Sequence, residues 1–179
     1  MGEVMLQPQA LSASSHSQLM SIDAATGAIE FHHNGAPAII VRDFIRKMAR
    51  DLMAIVGTAE LPPVKHTFLD GVYMREMFIP KGTLLIGKAH RLDCINIVST
   101  GDISVMTEDG SGRVTAGSSA VSRAGTQKIG FAHQDTVFIN IFRTDETDLA
   151  RIESAIAYDS IEEFDLLNQL TTQEVQPCQ

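Results

Sequence analysis

From residue 64 onward, glycine-bearing turns recur at nearly even intervals, and that rhythm limits the possible folds more than any other feature of the chain. Asp70-Gly71, Lys81-Gly82, Thr100-Gly101, Asp109-Gly110 and Ala124-Gly125 separate short segments suited to strands: residues 72–79, 95–98, 103–107, the surroundings of Val121, and 137–142. Many short strands with a glycine in each turn build a sandwich or a barrel. The run Glu108-Asp109-Gly110-Ser111-Gly112 is a hairpin signal, because glycine tolerates the positive φ that tight turns demand.

Helical periodicity brackets this region. Pro37 suits a helix opening, where its missing N–H costs nothing. Val41, Phe44, Ile45, Met48, Leu52 and Ile55 then recur at three- and four-residue spacing. Arg42, Asp43, Arg46, Lys47, Arg50 and Asp51 fill the other face, with acids and bases interleaved as on a solvated surface. This predicts an amphipathic helix ending at Gly57, with Pro62-Pro63 preventing its continuation. Ahead of it, a short strand over 28–32 closes at the turn pair Asn34-Gly35.

Residues 1–21, rich in Ser, Gln and Ala, read as a flexible arm, or as an arm that orders on an oligomer partner. After Thr144, Leu149, Ile152 and Ile156 share a helical face, and Asp145, Glu146 and Asp148 complement the dipole at its start. Ser160 with Glu163 makes a capping box for a last short helix carrying Phe164, Leu167 and Leu170. The expected division is an arm (1–21), a strand plus helix (22–63), a β-barrel (64–144), C-terminal helices (145–172) and a tail (173–179).

A chain of 179 residues suits one well-packed domain with helical additions. Its net charge of −8 argues against broad nucleic-acid binding, which needs cationic surface. No apolar run is long enough to cross a bilayer, and the N-terminus lacks the features of a secretory leader. Cys94 and Cys178 are far apart, so a reducing, cytoplasmic setting is expected and no structural disulfide. Neither a nucleophile elbow nor a P-loop, dinucleotide motif or paired-cysteine zinc motif is present.

Two spacings are more specific. Gly82 is followed by five residues, then Lys88, Ala89 and His90; Cys94 follows after three more, and Gly101 after a further six. Gly117 is followed by five residues, then Arg123, Ala124 and Gly125; Lys128 follows after two more, and Ala132 after a further three. This resembles the two signatures of the cupin superfamily, Gly-x5-His-x-His-x3–4-Glu-x6-Gly and Gly-x5-Pro-x-Gly-x2-His-x3-Asn. Every gap fits, and the glycines and second histidine are kept, while the remaining signature residues are replaced. The resemblance covers about eighty of the 179 residues. Residues 73–83, 135–141 and 144–148 also look like uncharacterised cupin-like proteins of tailed bacteriophages. What the resemblance implies is a mainly β fold: a cupin-type jelly-roll β-barrel with an N-terminal amphipathic helix and C-terminal helices.

In cupins of known activity, two histidines and a glutamate from one hairpin, with a histidine from a later strand, bind iron, manganese, nickel or zinc. By position those ligands would be Lys88, His90, Cys94 and Lys128. A protonated lysine cannot ligate and repels a cation. The expectation is therefore no cofactor, with Lys88, His90, Arg123 and Lys128 forming a pocket for a carboxylate or phosphate. Alternation along Leu84, Ile86, Lys88 and His90 favours an inward Lys88 above an apolar floor; the opposite register makes these cations solvent-facing. The alternative is a reduced site for zinc, iron or manganese on His90, Cys94 and His133, the last needing a one-residue register change. In the plainest reading His90 is a hydrogen-bonded barrel histidine and Cys94 a small core hydrophobe. His16, His32, His33 and His66 read as surface or turn residues, and Arg75 and Glu76 as neighbours facing opposite sides.

The function expected is that of a non-catalytic, phage-type accessory or virion-associated factor. It would bind a small anionic ligand or a protein partner and form a homo-oligomer, a dimer or higher, without membrane or nucleic-acid contact. The alternative is a divalent-metal-dependent dioxygenase or isomerase.

Overall fold

The computed structural model of the chain describes residues 4–6, 18–56, 63–159 and 163–167. Two short strands, β2 (Met20–Ile22) and β3 (Ile29–Phe31), form a hairpin and lead into helix α1 (Ala38–Val56). Nine strands then follow: β4 (Val64–Leu69), β5 (Val72–Ile79), β6 (Leu84–Ile86), β7 (Cys94–Thr100), β8 (Asp102–Thr107), β9 (Gly110–Thr115), β10 (Ser119–Ser122), β11 (Ile129–Ala132) and β12 (Thr136–Arg143). Helix α2 (Leu149–Ile156) comes next, and β1 (Val4–Leu6) lies at the start of the chain.

The strands form two antiparallel sheets, ordered β10-β7-β12-β5-β4 and β1-β6-β11-β8-β9. From β5 to β12, successive strands lie in opposite sheets except at the β8–β9 hairpin. Counting those eight strands in chain order, one sheet reads 1-8-3-6 and the other 2-7-4-5. That is a hairpin of paired strands rolled up on itself, the wrapping of a jelly roll.

Alternation decides what each face meets. Met77, Ile79, Leu85, Val98, Ile103 and Ala132 point between the sheets and fill the barrel. Leu84, Ile86, Met106, Ile129 and Phe131 point out of the second sheet and meet α1 through Val41, Ile45, Met48 and Leu52. The helix therefore packs on its own barrel. Each such fully buried aliphatic side chain contributes about 1.5–3 kcal/mol relative to exposure. The Pro37 carbonyl accepts from the amides of Ile40 and Val41 at 2.9 and 3.3 Å, which sets the first turn. The polar face is held by ion pairs from Arg42 to Glu108 and from Lys47 to Asp51.

Several sequence expectations need correction. Val4–Leu6, inside the segment read as a free arm, pair with Leu84–Ile86, and Met20–Ile22 at its other end pair with β3. Strands β4, β9 and β11 carry too little alternation to be read as strands in advance; β11 is buried at all four positions and β9 at none. Leu149 lies on the exposed side of α2, whose buried residues are Ile152 and Ile156. Asp148 caps α2 by accepting from the amides of Ala150 and Arg151. Residues 163–167 are helical, while Ser160, Leu170 and the tail lie outside the described residues.

Candidate functional site

The signature residues fall on the strand ends that the spacing requires. Gly82 turns β5 into β6, Gly101 turns β7 into β8, and Gly117 turns β9 into β10, all at positive φ, as is Gly125 after β10. Lys88 and His90 occupy the β6–β7 connection, Cys94 opens β7, and Lys128 directly precedes β11. Strand order and these turns together decide the architecture. The barrel is a jelly roll.

Inside this jelly-roll barrel, Lys88, His90 and Lys128 line a small pocket together with apolar residues. Its floor is apolar, formed chiefly by Met77, Ile79, Leu85, Ile103 and Phe138, and Asn140 adds an amide at the polar end. No residue lining this part is acidic. Past Lys128, Val105 and Phe138 the cavity continues into a wider cleft between β7–β10 and β8–β9, where Asp109 and Arg123 stand on its border.

Lys88 reaches this cavity by a different route from the one its alternation suggested. Leu84 and Ile86 face outward beneath α1, and Leu85 is the inward residue of β6. The strand ends at Ile86, and the irregular Gly87–Ala89 stretch breaks the alternation and turns Lys88 inward. The Gly87 amide donates to the Lys128 carbonyl at 2.9 Å, which brings the two lysine positions side by side.

His90 is buried and ties the barrel to its C-terminal helix through a β-bridge with Ala157. Its ring packs edge-on against Phe142, and its Nδ1 lies 3.4 Å from the Cys94 sulfur. Burial, with Lys128 and then Arg75 nearby, pushes its pKa down to about 3, so the imidazole is neutral at ordinary pH. Burial likewise pushes the Cys94 thiol up, keeping it protonated. The thiol donates to Asn96 Oδ1 at 3.6 Å, and the Asn140 amide donates to the same oxygen at 2.8 Å. Asn96 in turn donates to Ser122 at 2.8 Å. This buried chain of His90, Cys94, Asn96, Asn140 and Ser122 was not foreseen, although Asn96 and Cys94, two apart on β7, necessarily share a face.

Two expected members are elsewhere. Arg123 is largely exposed and pairs with Asp93 at 2.7 Å, so it is a solvent-facing cation at the cleft border and not part of the inner pocket. His133 follows β11 on the outer side, where Nε2 lies 2.8 Å from Ser104 Oγ and 3.5 Å from Glu30. Burial and Arg113 lower its pKa. The proposed ligand trio of His90, Cys94 and His133 is therefore not assembled. Among the described residues no group of three His, Cys, Asp or Glu side chains is placed to hold a metal ion. His66 also departs from expectation: it lies on β4, with Nδ1 2.9 Å from the Tyr73 hydroxyl. Arg75 and Glu76 do face opposite ways, with Glu76 pairing outward to Lys65.

The end of the barrel next to His90 is closed. Ile152 and Ile156 of α2 pack on Tyr73, Cys94 and Phe142. Arg91 pins this plug: its Nε donates to the Ala157 carbonyl, it pairs with Glu163, and its guanidinium lies 4.4 Å from the Tyr158 ring centroid. No described helix is long and apolar enough to cross a membrane.

The sequence matches no protein-family profile and no curated protein. The fold is similar to solved structures that include KdgF from Halomonas sp., at 20% identity and a TM-score of 0.42, over 48% of this chain and 79% of that one. A cupin-2 domain protein from Shewanella frigidimarina shares 12% identity at a TM-score of 0.40, over 54% and 92%. Acetylacetone dioxygenase from Acinetobacter johnsonii shares 14% at 0.39, over 45% and 58%.

Proposed function

We propose that the barrel is a non-catalytic binding module for a small anion-bearing molecule, held by Lys88 and Lys128. The observation that carries this reading is the convergence of both lysines on an apolar cavity whose inner part has no acidic lining residue. Cations in a low-dielectric enclosure attract an anion strongly and disfavour a metal. Neutral His90 and the Asn140 amide supply further polar contacts, and Met77, Ile79 and Leu85 would receive an apolar body. Access is through the cleft between β7–β10 and β8–β9, since α2 fills the opposite end. The phage-type accessory role, in virion or host cytoplasm, is part of this reading and is carried over from the resemblance of residues 73–83, 135–141 and 144–148.

A thermal-shift panel of phosphate and small carboxylates tests it. A ligand at a hundredfold excess over Kd should stabilise the native state by about 2.7 kcal/mol. The shift should vanish in Lys88→Ala and Lys128→Ala, while Arg123→Ala retains it. Stoichiometric zinc, iron or manganese in the purified protein, lost in His90→Ala, would instead establish the metal-dependent alternative, for which the His90–Cys94 contact is the starting point.

A further inference from the structure

A second cleft lies between α2 and strands β4 and β5, and it shares no lining residue with the Lys88–Lys128 pocket. Antiparallel register builds its sheet wall. His66 stands opposite Arg75 across β4 and β5, and Tyr73, two residues from Arg75, shares its face. The Tyr73 hydroxyl lies 2.9 Å from His66 Nδ1, and the two rings stack with centroids 6.0 Å apart. Phe142 stacks on Tyr73 in turn at 6.2 Å. The opposite wall is α2, where Leu149, Glu153 and Ile156 follow one another at helical spacing along one stripe. Leu149, 42% exposed, is the apolar residue of this helix that packing on the barrel leaves uncovered. The amides of Ala150 and Arg151 at the helix start are already taken by the Asp148 carboxylate, so the positive charge of the cleft comes from Arg75.

We infer that this cleft is a binding site for a small zwitterion, an α-amino acid with an aliphatic side chain. Its lining joins one guanidinium, Arg75 from the sheet, to one carboxylate, Glu153 from the helix, and places Val64, Leu149 and Ile156 around them. A planar guanidinium grips a carboxylate through paired N–H donors, and a carboxylate accepts from an ammonium group. A simple anion would meet repulsion from Glu153, and a simple amine or metal cation repulsion from Arg75. A ligand that carries both charges and no net charge satisfies both walls at once. The apolar residues then receive its side chain, and the His66 imidazole and Tyr73 hydroxyl add hydrogen-bonding capacity. The cleft's volume of about 350 Å³ suits a ligand of this size.

Isothermal titration calorimetry of the full chain with L-leucine should give a single site. Two analogues separate the charges: 4-methylpentanoate lacks the ammonium group and 3-methylbutylamine lacks the carboxylate. Each should bind about tenfold more weakly than leucine, or worse, since a hydrogen bond to a charged group is lost. Glu153 is exposed, so Glu153→Gln should keep its circular dichroism spectrum. It should weaken leucine about tenfold or more and leave 4-methylpentanoate unchanged. Arg75→Gln should weaken leucine and leave 3-methylbutylamine unchanged; if that variant loses its fold, Glu153→Gln with the two analogues carries the test. Lys88→Ala with Lys128→Ala should retain leucine binding while losing the phosphate-induced thermal shift, so this site and the lysine pocket stand or fall separately. The inference is overturned if leucine fails to bind at millimolar concentration, or binds no better than its analogues. It is equally overturned by indifference to Glu153→Gln, or by loss of leucine binding in the double lysine variant.

Discussion

His90 is the residue whose surroundings most change its chemistry. The folded barrel holds its pKa near 3, while an unfolded chain leaves it near 6.5. Above pH 6.5 both states are neutral there and the full stabilisation is present. As pH falls from about 6.5 toward 3 the unfolded chain takes up a proton that the folded one refuses, and stability declines. The expected loss is on the order of a few kcal/mol, at about 1.4 kcal/mol per unit of difference. Denaturation midpoints measured between pH 7 and 4 should fall in the wild type and flatten in His90→Gln. Lys88 shows the limit of reading residues one at a time. Its place in the cavity was legible from signature spacing, but the supporting alternation was misleading, because β6 stops at Ile86 and the face changes in the turn. Spacing also identified His90 and Cys94 as neighbours. It could not show that Arg123 would be captured by Asp93 or His133 by Ser104, since those partners lie far along the chain.

At the scale of the element, the glycines of the two spacings are structural. Gly101 has a φ of +91°, and a Cβ there would sit 2.4 Å from the Asp135 carbonyl oxygen and 2.6 Å from the Thr136 Cα. Neither backbone atom can move without shifting the start of β12. Gly101→Ala should therefore destabilise by roughly 2–4 kcal/mol, through positive φ and steric conflict together, readable as a lower urea midpoint at unchanged m-value. The same contrast explains which elements were legible. Strands β5 and β12 and helix α1 are long and periodic, so one face is recoverable from sequence. Strand β4 is an edge strand with mostly exposed residues, and the four residues of β11 are buried on both sides, under α1 and within the barrel. Period-two reasoning has nothing to act on in either.

At the scale of the molecule, the layers are helix on sheet on sheet, and the first junction carries much of the core. Met48 is fully buried between α1 and the outer face of the β6–β11–β8 sheet. Met48→Ala should cost about 2–5 kcal/mol as cavity plus lost transfer energy, seen in chemical denaturation. Because the lysine-lined cavity lies on the other side of that sheet, anion binding at temperatures below the midpoint should persist. The helix was legible as amphipathic; that it covers this barrel, and not another chain, depends on outward residues of three strands that no local pattern assigns to it.

The way the chain is wound also sets when it can fold. Val72 pairs with Arg143, Val4 with Ile86, and His90 bridges to Ala157. The central strand β12 lies between β5 and β7 and is the last of the described strands to be synthesised. During translation, the first sheet therefore has a missing middle until residues 136–143 have left the ribosome. Such distant pairings must bear their loop-closure entropy before burial repays it, which places this barrel among slow, millisecond-to-second folders. Until β12 arrives, the apolar faces of β5 and β7 wait without partners, and the early-made α1 can shelter only the strands of the other sheet.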